Sequence, residues 1–406
     1  MSYCFSDRSV RLGIDRVSEP EYVKLFSGKR LGVISAASGL SSDYRFPIDI
    51  LHEKFNVTGL FAPEHGPRSV QGPGAKVHGG TDLISGLPVY SLYEDIIRPS
   101  RKDGTGKPDR ETAYAPGGDA LDNVDVLVFD MQDVGSRYFT YVSSMFYCMR
   151  TCGERGMPFV VLDRPNPLGG DVEGNVLDPA YSSFIGLTEV PIRHGLTAGE
   201  LARFYNDRYG LGCDLTVVPM TGWNRDMYWD DTGLPFVRPS PNLPTFESVL
   251  VYNGTCLFEG TNVSTGRGTT VPFTTIGAEY IRPLELCDTL NADPTLEGVR
   301  FSPAFFEPLF SKLCGKALYG VTIHVTDKRA LRAVRLGVTM LRTIEKMYPE
   351  FEYTAPSVEG GRWHIDLASG GTELRTSGKS AAELIGDWDR QSAAFSAQTE
   401  QYRLYE

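Results

Sequence analysis

Apolar and polar positions in the first half of the chain come in blocks. Residues 30–37, Val57-Thr-Gly-Leu-Phe-Ala62, Val124-Asp-Val-Leu-Val-Phe129, Phe159-Val-Val-Leu162 and Leu215-Thr-Val-Val218 are short runs rich in β-branched and apolar side chains. Runs of this length, apolar on both faces and separated by helical stretches, predict buried parallel strands in a βαβ succession. A helix is expected over Phe46 to Phe55. Helical spacing returns over 136–153, where Tyr138, Tyr141, Met145 and Met149 fall on one stripe. Thr197-Ala-Gly-Glu200 and Ser380-Ala-Ala-Glu383 are capping boxes, the first opening a helix to Tyr209 and the second a closing helix towards Tyr402.

The second half reads differently. A proline-rich connector runs from Leu234 to Pro244, Ala317 to Thr326 is strand-like, and Leu331, Val334, Val338 and Leu341 mark a helix after it. Residues 99–120 are rich in Pro, Gly, Asp and Lys without periodicity and are expected to form an exposed loop. A chain of 406 residues exceeds what one core usually serves, so two domains are expected, 1–220 and 221–406. The fold class is α/β: a parallel sheet followed by a smaller α+β domain.

Three of the apolar runs end on chemistry. They stop at Pro63-Glu64-His65-Gly66, at Asp130-Met-Gln-Asp133 and at Asp163-Arg164-Pro-Asn166. In an open α/β sheet, ligands sit beyond the carboxyl ends of the strands, so these groups are expected along one crevice. No G-x-G-x-x-G follows the first strand, which argues against a dinucleotide. Asp133 is a candidate cap for the following helix, and Arg137, one turn in, a candidate grip for a carboxylate. Asp130 and Asp133 alone are thin for an oxygen cage, so no metal and no other cofactor is expected. His194, in Arg193-His194-Gly195, reads as a hydrogen-bonded supporting group. Trp223 and Trp229, beside Asn224-Arg225-Asp226, offer faces suited to sugar rings. A further loop, Glu259-Gly-Thr-Asn262-Val-Ser-Thr-Gly-Arg267-Gly268, joins a second carboxyl to a guanidinium among glycines and hydroxyls.

Composition narrows the partners. The formal net charge of −11 argues against nucleic acid, which needs a basic surface. No apolar stretch is long enough to span a bilayer and the first residues lack a secretory apolar segment, so the chain as given is expected to be cytoplasmic. The cysteines show no metal spacing; Cys148 and Cys152 read as packed thiols.

Six ordered blocks carry a resemblance: Leu60 to Gly66, Phe129 to Tyr141, Leu162 to Gly170, His194 to Glu200, Pro239 to Pro244 and Phe258 to Thr269. They resemble the signature blocks of the exo-β-N-acetylmuramidases, the NamZ-like or DUF1343 family, over nearly the whole chain. The resemblance implies a Rossmann-like amino-terminal domain whose cleft is closed by the second domain. It also implies a glycoside hydrolase taking terminal, non-reducing N-acetylmuramic acid from peptidoglycan fragments. Carried over by position, Glu64 is the leading catalytic residue and Glu259 the second carboxylate. His65, Arg68, Asp130, Asp133, Arg137, Asp163, Asn166, His194, Asn262 and Arg267 are the candidate substrate-binding residues. The chain departs from the pattern at Ser69, where a glycine is expected, and over 100–116, which read as an insertion.

Glycoside cleavage needs a protonated carboxylic acid at the leaving oxygen and an ionised carboxylate nearby. The expected partner is a muropeptide or muramoyl sugar. Two routes stay open: direct use of both glutamates, or attack by the sugar's own acetamido group oriented by Asp130 or Asp133. A metal-dependent hydrolase using Asp130 and Asp133, and a non-catalytic muropeptide-binding protein, are the alternatives.

Overall fold

The computed structural model describes residues 10–69, 79–92, 116–358 and 360–406. Strands β1 (Leu31–Ser35), β2 (Val57–Ala62), β3 (Gly80–Thr81), β4 (Pro88–Ser91), β5 (Val126–Asp130) and β6 (Phe159–Leu162) belong to one sheet. Strands β7 (Glu173–Val176) and β8 (Pro191–Arg193) form a separate antiparallel pair, and β9 (Leu215–Val218) completes the large sheet. Its order is β3-β4-β2-β1-β5-β6-β9, parallel apart from the β3–β4 edge.

The block patterning has a direct cause. Every residue of β1, β5 and β6 is buried because both faces of the sheet are covered. Val126 and Val128 point into one apolar cluster, with Leu12, Val33 and Leu162. Leu127 and Phe129 point into the other, with Phe61, Phe159 and Met145. The strand order runs outward in both directions from β1, so the crevice beyond β1 and β5 is a topological switch point. Ser35 and Asp130 sit side by side there.

The helix expected from 136 spans Tyr141–Arg155, ending on left-handed Gly156. Its supposed first turn is occupied otherwise: Ser136 bridges Arg193, and the Arg137 amide donates to the Ile192 carbonyl at 2.8 Å. That segment pairs with β8 before it can turn helical, and Thr140, not Asp133, stands at the N-cap. The 99–120 loop lies outside the described residues up to 115, and its end forms a short helix, Gly118–Leu121.

The second part of the chain holds a three-stranded antiparallel sheet of β10 (Thr275–Ala278), β11 (Val299–Phe306) and β12 (Leu318–Val325), with β12 central. Helices Phe246–Thr255 and Ala333–Met347 cross so closely that a Cβ on Gly254 would lie 1.9 Å from the Ala333 carbonyl oxygen. The segment after residue 220 packs first beneath the large sheet, through Trp223 and Trp229. The last helix, Ala381–Thr399, returns to β7, where Ser392 donates to the Gly174 carbonyl at 2.7 Å. Among the described residues no helix is long and apolar enough to cross a membrane.

Candidate active site

One cleft runs between the carboxyl edge of the large sheet and the second sheet's domain, and Glu64 and Glu259 both line it. Glu64 stands on the turn leaving β2. The next two residues are left-handed, His65 at φ 72° and Gly66 at φ 81°. For a residue with a Cβ that conformation costs about 1 kcal/mol or more, and such strain concentrates at functional sites. The Thr140 hydroxyl donates to Glu64 Oε2 at 3.0 Å, tying the turn to the start of the Tyr141–Arg155 helix.

Glu259 stands in a 3-10 turn, Cys256–Gly260, that continues the helix Phe246–Thr255. Arg267 Nη1 pairs with its Oε2 at 2.7 Å and the Thr265 hydroxyl donates to Oε1. Burial pushes this carboxyl up, but Arg267, Lys312 and the Thr265 bond together outweigh it and hold it below the usual glutamate value. Glu259 is thus an ionised carboxylate at neutral pH.

The walls are aromatic and polar. Tyr138, Phe139, Tyr141, Tyr252 and Phe273 supply the apolar surface, while Ser240, Asn242 and His364 add polar groups. Burial lowers the His364 imidazole, Glu259 opposes this, and Lys312 and Arg267 reinforce it; the ring is neutral near pH 7. Burial lifts the Cys256 thiol to about 12, which removes it as a nucleophile.

Of the twelve candidates, the cleft brings together Glu64, His65, Glu259 and Arg267. The other eight lie elsewhere, each with a visible task. Arg68 bridges Asp82 and Asp49, both at 2.8 Å, steadying the chain around the Glu64 turn. Asp130 is buried against Arg164. Asp133 accepts from the Gly135 amide at 2.7 Å and lies 3.3 Å from His194 Nε2. Asp163 accepts from the Thr197 and Tyr405 hydroxyls and the Gly199 and Arg164 amides. Asn166 spans the Leu196 carbonyl and the Leu168 amide.

Two of the candidates for substrate contact, Arg137 and Asn262, lie off the cleft. Arg137 is buried, its guanidinium donates to the carbonyls of Asn175, Val190 and Ala368, and it does not line the cleft. Asn262 bonds Tyr280, the Glu350 carbonyl and the Glu352 amide, and lines a different hollow. Trp223 and Trp229 are likewise core residues under the large sheet. Cleft residues that sequence reasoning passed over are Ser240, Asn242, Tyr252 and His364. The first two sit in the Pro239 to Pro244 block, one of the six that carry the family resemblance.

Two carboxylates in one cleft with aromatic walls, one held ionised by a guanidinium, beyond the carboxyl edge of a parallel sheet, are the equipment of a glycosidase-type hydrolase. The family model described as exo-beta-N-acetylmuramidase NamZ, N-terminal, matches residues 31–247, and its C-terminal counterpart matches residues 250–405. The chain belongs to the NamZ family. The peptidoglycan beta-N-acetylmuramidase NamZ of Bacillus subtilis (strain 168) is 43% identical over 403 residues, covering 98% of this chain and 91% of that relative. A DUF1343 family protein of Bacteroides fragilis, BF0371, superposes with a TM-score of 0.85 at 32% identity, over 99% of this chain and 100% of that one. A second from the same organism, BF0379, gives 0.72 at 29% identity, over 99% of each chain.

Proposed function

We infer that this protein is an exo-β-N-acetylmuramidase, removing terminal β-linked N-acetylmuramic acid from peptidoglycan fragments. The observation that carries the mechanism is the shared cleft of Glu64 and Glu259. Glu64, on its strained turn and hydrogen-bonded to Thr140, is the group assigned to protonate the leaving oxygen. Glu259, held ionised, is the carboxylate assigned to the positive charge that develops at the anomeric carbon. Asp130 and Asp133 are engaged by Arg164 and by the Gly135 amide, which favours the two glutamates over the aspartates as the reacting pair.

Specificity for the muramic sugar is assigned to Arg267. Its Nη1 holds Glu259, and the rest of the side chain, 28% exposed, lines the cleft. A guanidinium open to the cleft can pair with a lactyl carboxylate, where a plain glucosamine hydroxyl offers no charge. The aromatic walls suit the apolar faces of the ring.

The test is incubation with a synthetic β-muramoyl glycoside beside its N-acetylglucosamine analogue. Release from the muramic compound alone supports the reading; release from both, or from neither, overturns it.

A further inference from the structure

The segment 307–317, between β11 and β12, is fastened to the loop that carries Glu259 and Arg267. The Leu309 amide donates to the Gly268 carbonyl at 2.9 Å, and a Cβ on Gly268 would meet the Phe310 carbonyl oxygen at 2.2 Å. From this segment Lys312 extends its ammonium to four carbonyl oxygens: Phe258 at 2.9 Å, Glu259 at 3.2 Å, Thr261 at 2.6 Å and Val263 at 3.1 Å. An ammonium has three N–H groups, so four carbonyls converge on it as they would on a small cation. Its neighbours Ser311 and Leu313 are both left-handed, at φ 73° and 61°. Side chains with a Cβ adopt that conformation at a cost, and here it presents the lysine between them.

We propose that Lys312 is a positioning residue for the glycosidase reaction: its ammonium gathers the 258–263 carbonyls and so fixes Glu259 and Arg267 in the cleft. This rests on the reading of Glu259 given above. Lys312 does not line the cleft, so its effect passes through the loop.

The groups that face it are Glu259, Arg267 and Cys256 on the clamped loop and His364 on the helix His364–Ser369. Burial disfavours the ammonium most, Glu259 and Cys256 favour it, Arg267 opposes it, and the amine titrates at about 8. Its folded value lies below the ordinary lysine value of 10.5. Above the lower figure the unfolded chain binds more protons, so this group's contribution to stability rises with pH. Deprotonation therefore does not unfold the protein, and its effect is confined to the clamped loop. The neutral amine keeps two N–H groups for four carbonyls and no longer helps hold Glu259 ionised.

The experiment compares wild type, Lys312→Met and Lys312→Arg on a β-muramoyl glycoside from about pH 6 to about pH 10. Lys312→Met is expected to keep KM and lose roughly 100-fold in kcat at neutral pH, the effect of displacing a reacting group by about 1 Å. Lys312→Arg, charged throughout, recovers most of kcat, and its rate relative to wild type climbs above pH 8 towards about tenfold per unit. A Met variant within about twofold of wild type, or an Arg-to-wild-type ratio flat across the range, overturns the proposal. Should the Met variant not fold, nitrogen NMR of Lys312 Nζ in the wild type decides. Titration near 8, in step with falling kcat, supports it; titration at the ordinary 10.5 overturns it. An inactive wild type would fail the functional reading itself, whereas an active wild type with insensitive variants fails only the role of Lys312.

Discussion

Arg267 grips Glu259 at 2.7 Å on the wall of the cleft that Glu64 also lines. The pair gives one carboxylate a fixed charge and a fixed direction, and it sets the acid side of the activity profile. Glu259 sits below its ordinary value because Arg267, Lys312 and Thr265 outweigh burial. Arg267→Met removes the largest of the lowering influences, so the carboxyl rises and the acid limb of kcat/KM moves to higher pH. The loss at neutral pH is expected to be about 100-fold, read from a pH–rate profile.

Glu64→Gln keeps the shape of the turn and its acceptor for Thr140 but cannot donate a proton as an acid. Turnover is expected to fall by about 1000-fold or more while the melting temperature stays within a few degrees of wild type. Near-normal turnover would remove Glu64 from the assigned role.

Arg137 gives the opposite signature. Its guanidinium satisfies three buried carbonyls, reaching Ala368 beside the cleft from beneath. Burial without a facing carboxylate lowers it to about 10, the mark of a guanidinium held by neutral dipoles. Arg137→Met is expected to cost about 3 kcal/mol of stability or more, because those carbonyls lose their donors. A change confined to KM, with unchanged denaturant midpoint, would instead place Arg137 against the substrate.

Asp163 is a buried tie between the large sheet, the helix Ala198–Arg208 and the end of the chain through Tyr405. Burial lifts it to about 6 against the pull of four hydrogen-bond donors. Its folded value exceeds its unfolded one, so between about 4 and 6 the folded state binds more protons and stability from this group falls as pH rises. Asp163→Asn should abolish that slope in pH-dependent melting. Asp163→Ala should cost about 3 kcal/mol, since it strands several buried donors.

Chelation should leave turnover unchanged. The aspartates that a metal reading requires are already engaged, Asp130 by Arg164 and Asp133 by Gly135. Activity lost to a chelator and restored by divalent ions would reinstate that reading.

The inner strands were legible because burial on both faces leaves an apolar run; the runs at 57–62 and 159–162 match β2 and β6 residue for residue, and 215–218 matches the half-buried edge strand β9. The capping boxes were legible too: Thr197 and Ser380 each accept from the amide three residues on. The start of the helix at Tyr141 was not, because apolar spacing at 136–140 serves equally for pairing with β8. The site divides in the same way. Glu64 and Glu259 were legible as carboxyls placed where apolar runs stop. That Arg137 and Asn262 lie off the cleft was not legible, because a polar side chain near a strand end or in a glycine-rich loop looks the same whether it meets a substrate or a carbonyl. Tyr252 and His364 lie on helices far along the chain, and only the fold brings them to the cleft. Ser69 holds φ 53°, which explains the glycine expected there, and its hydroxyl compensates by accepting from the Ala37 amide at 3.0 Å.

The most direct test of two glutamates acting on one glycosidic bond is a double-mutant cycle on muramoyl glycoside turnover with Glu64→Gln, Glu259→Gln and the pair. Groups that act as a unit lose their effect together, so the double variant should be no slower than the slower single variant. Losses that multiply, or either single variant turning over at a near-normal rate, would contradict it.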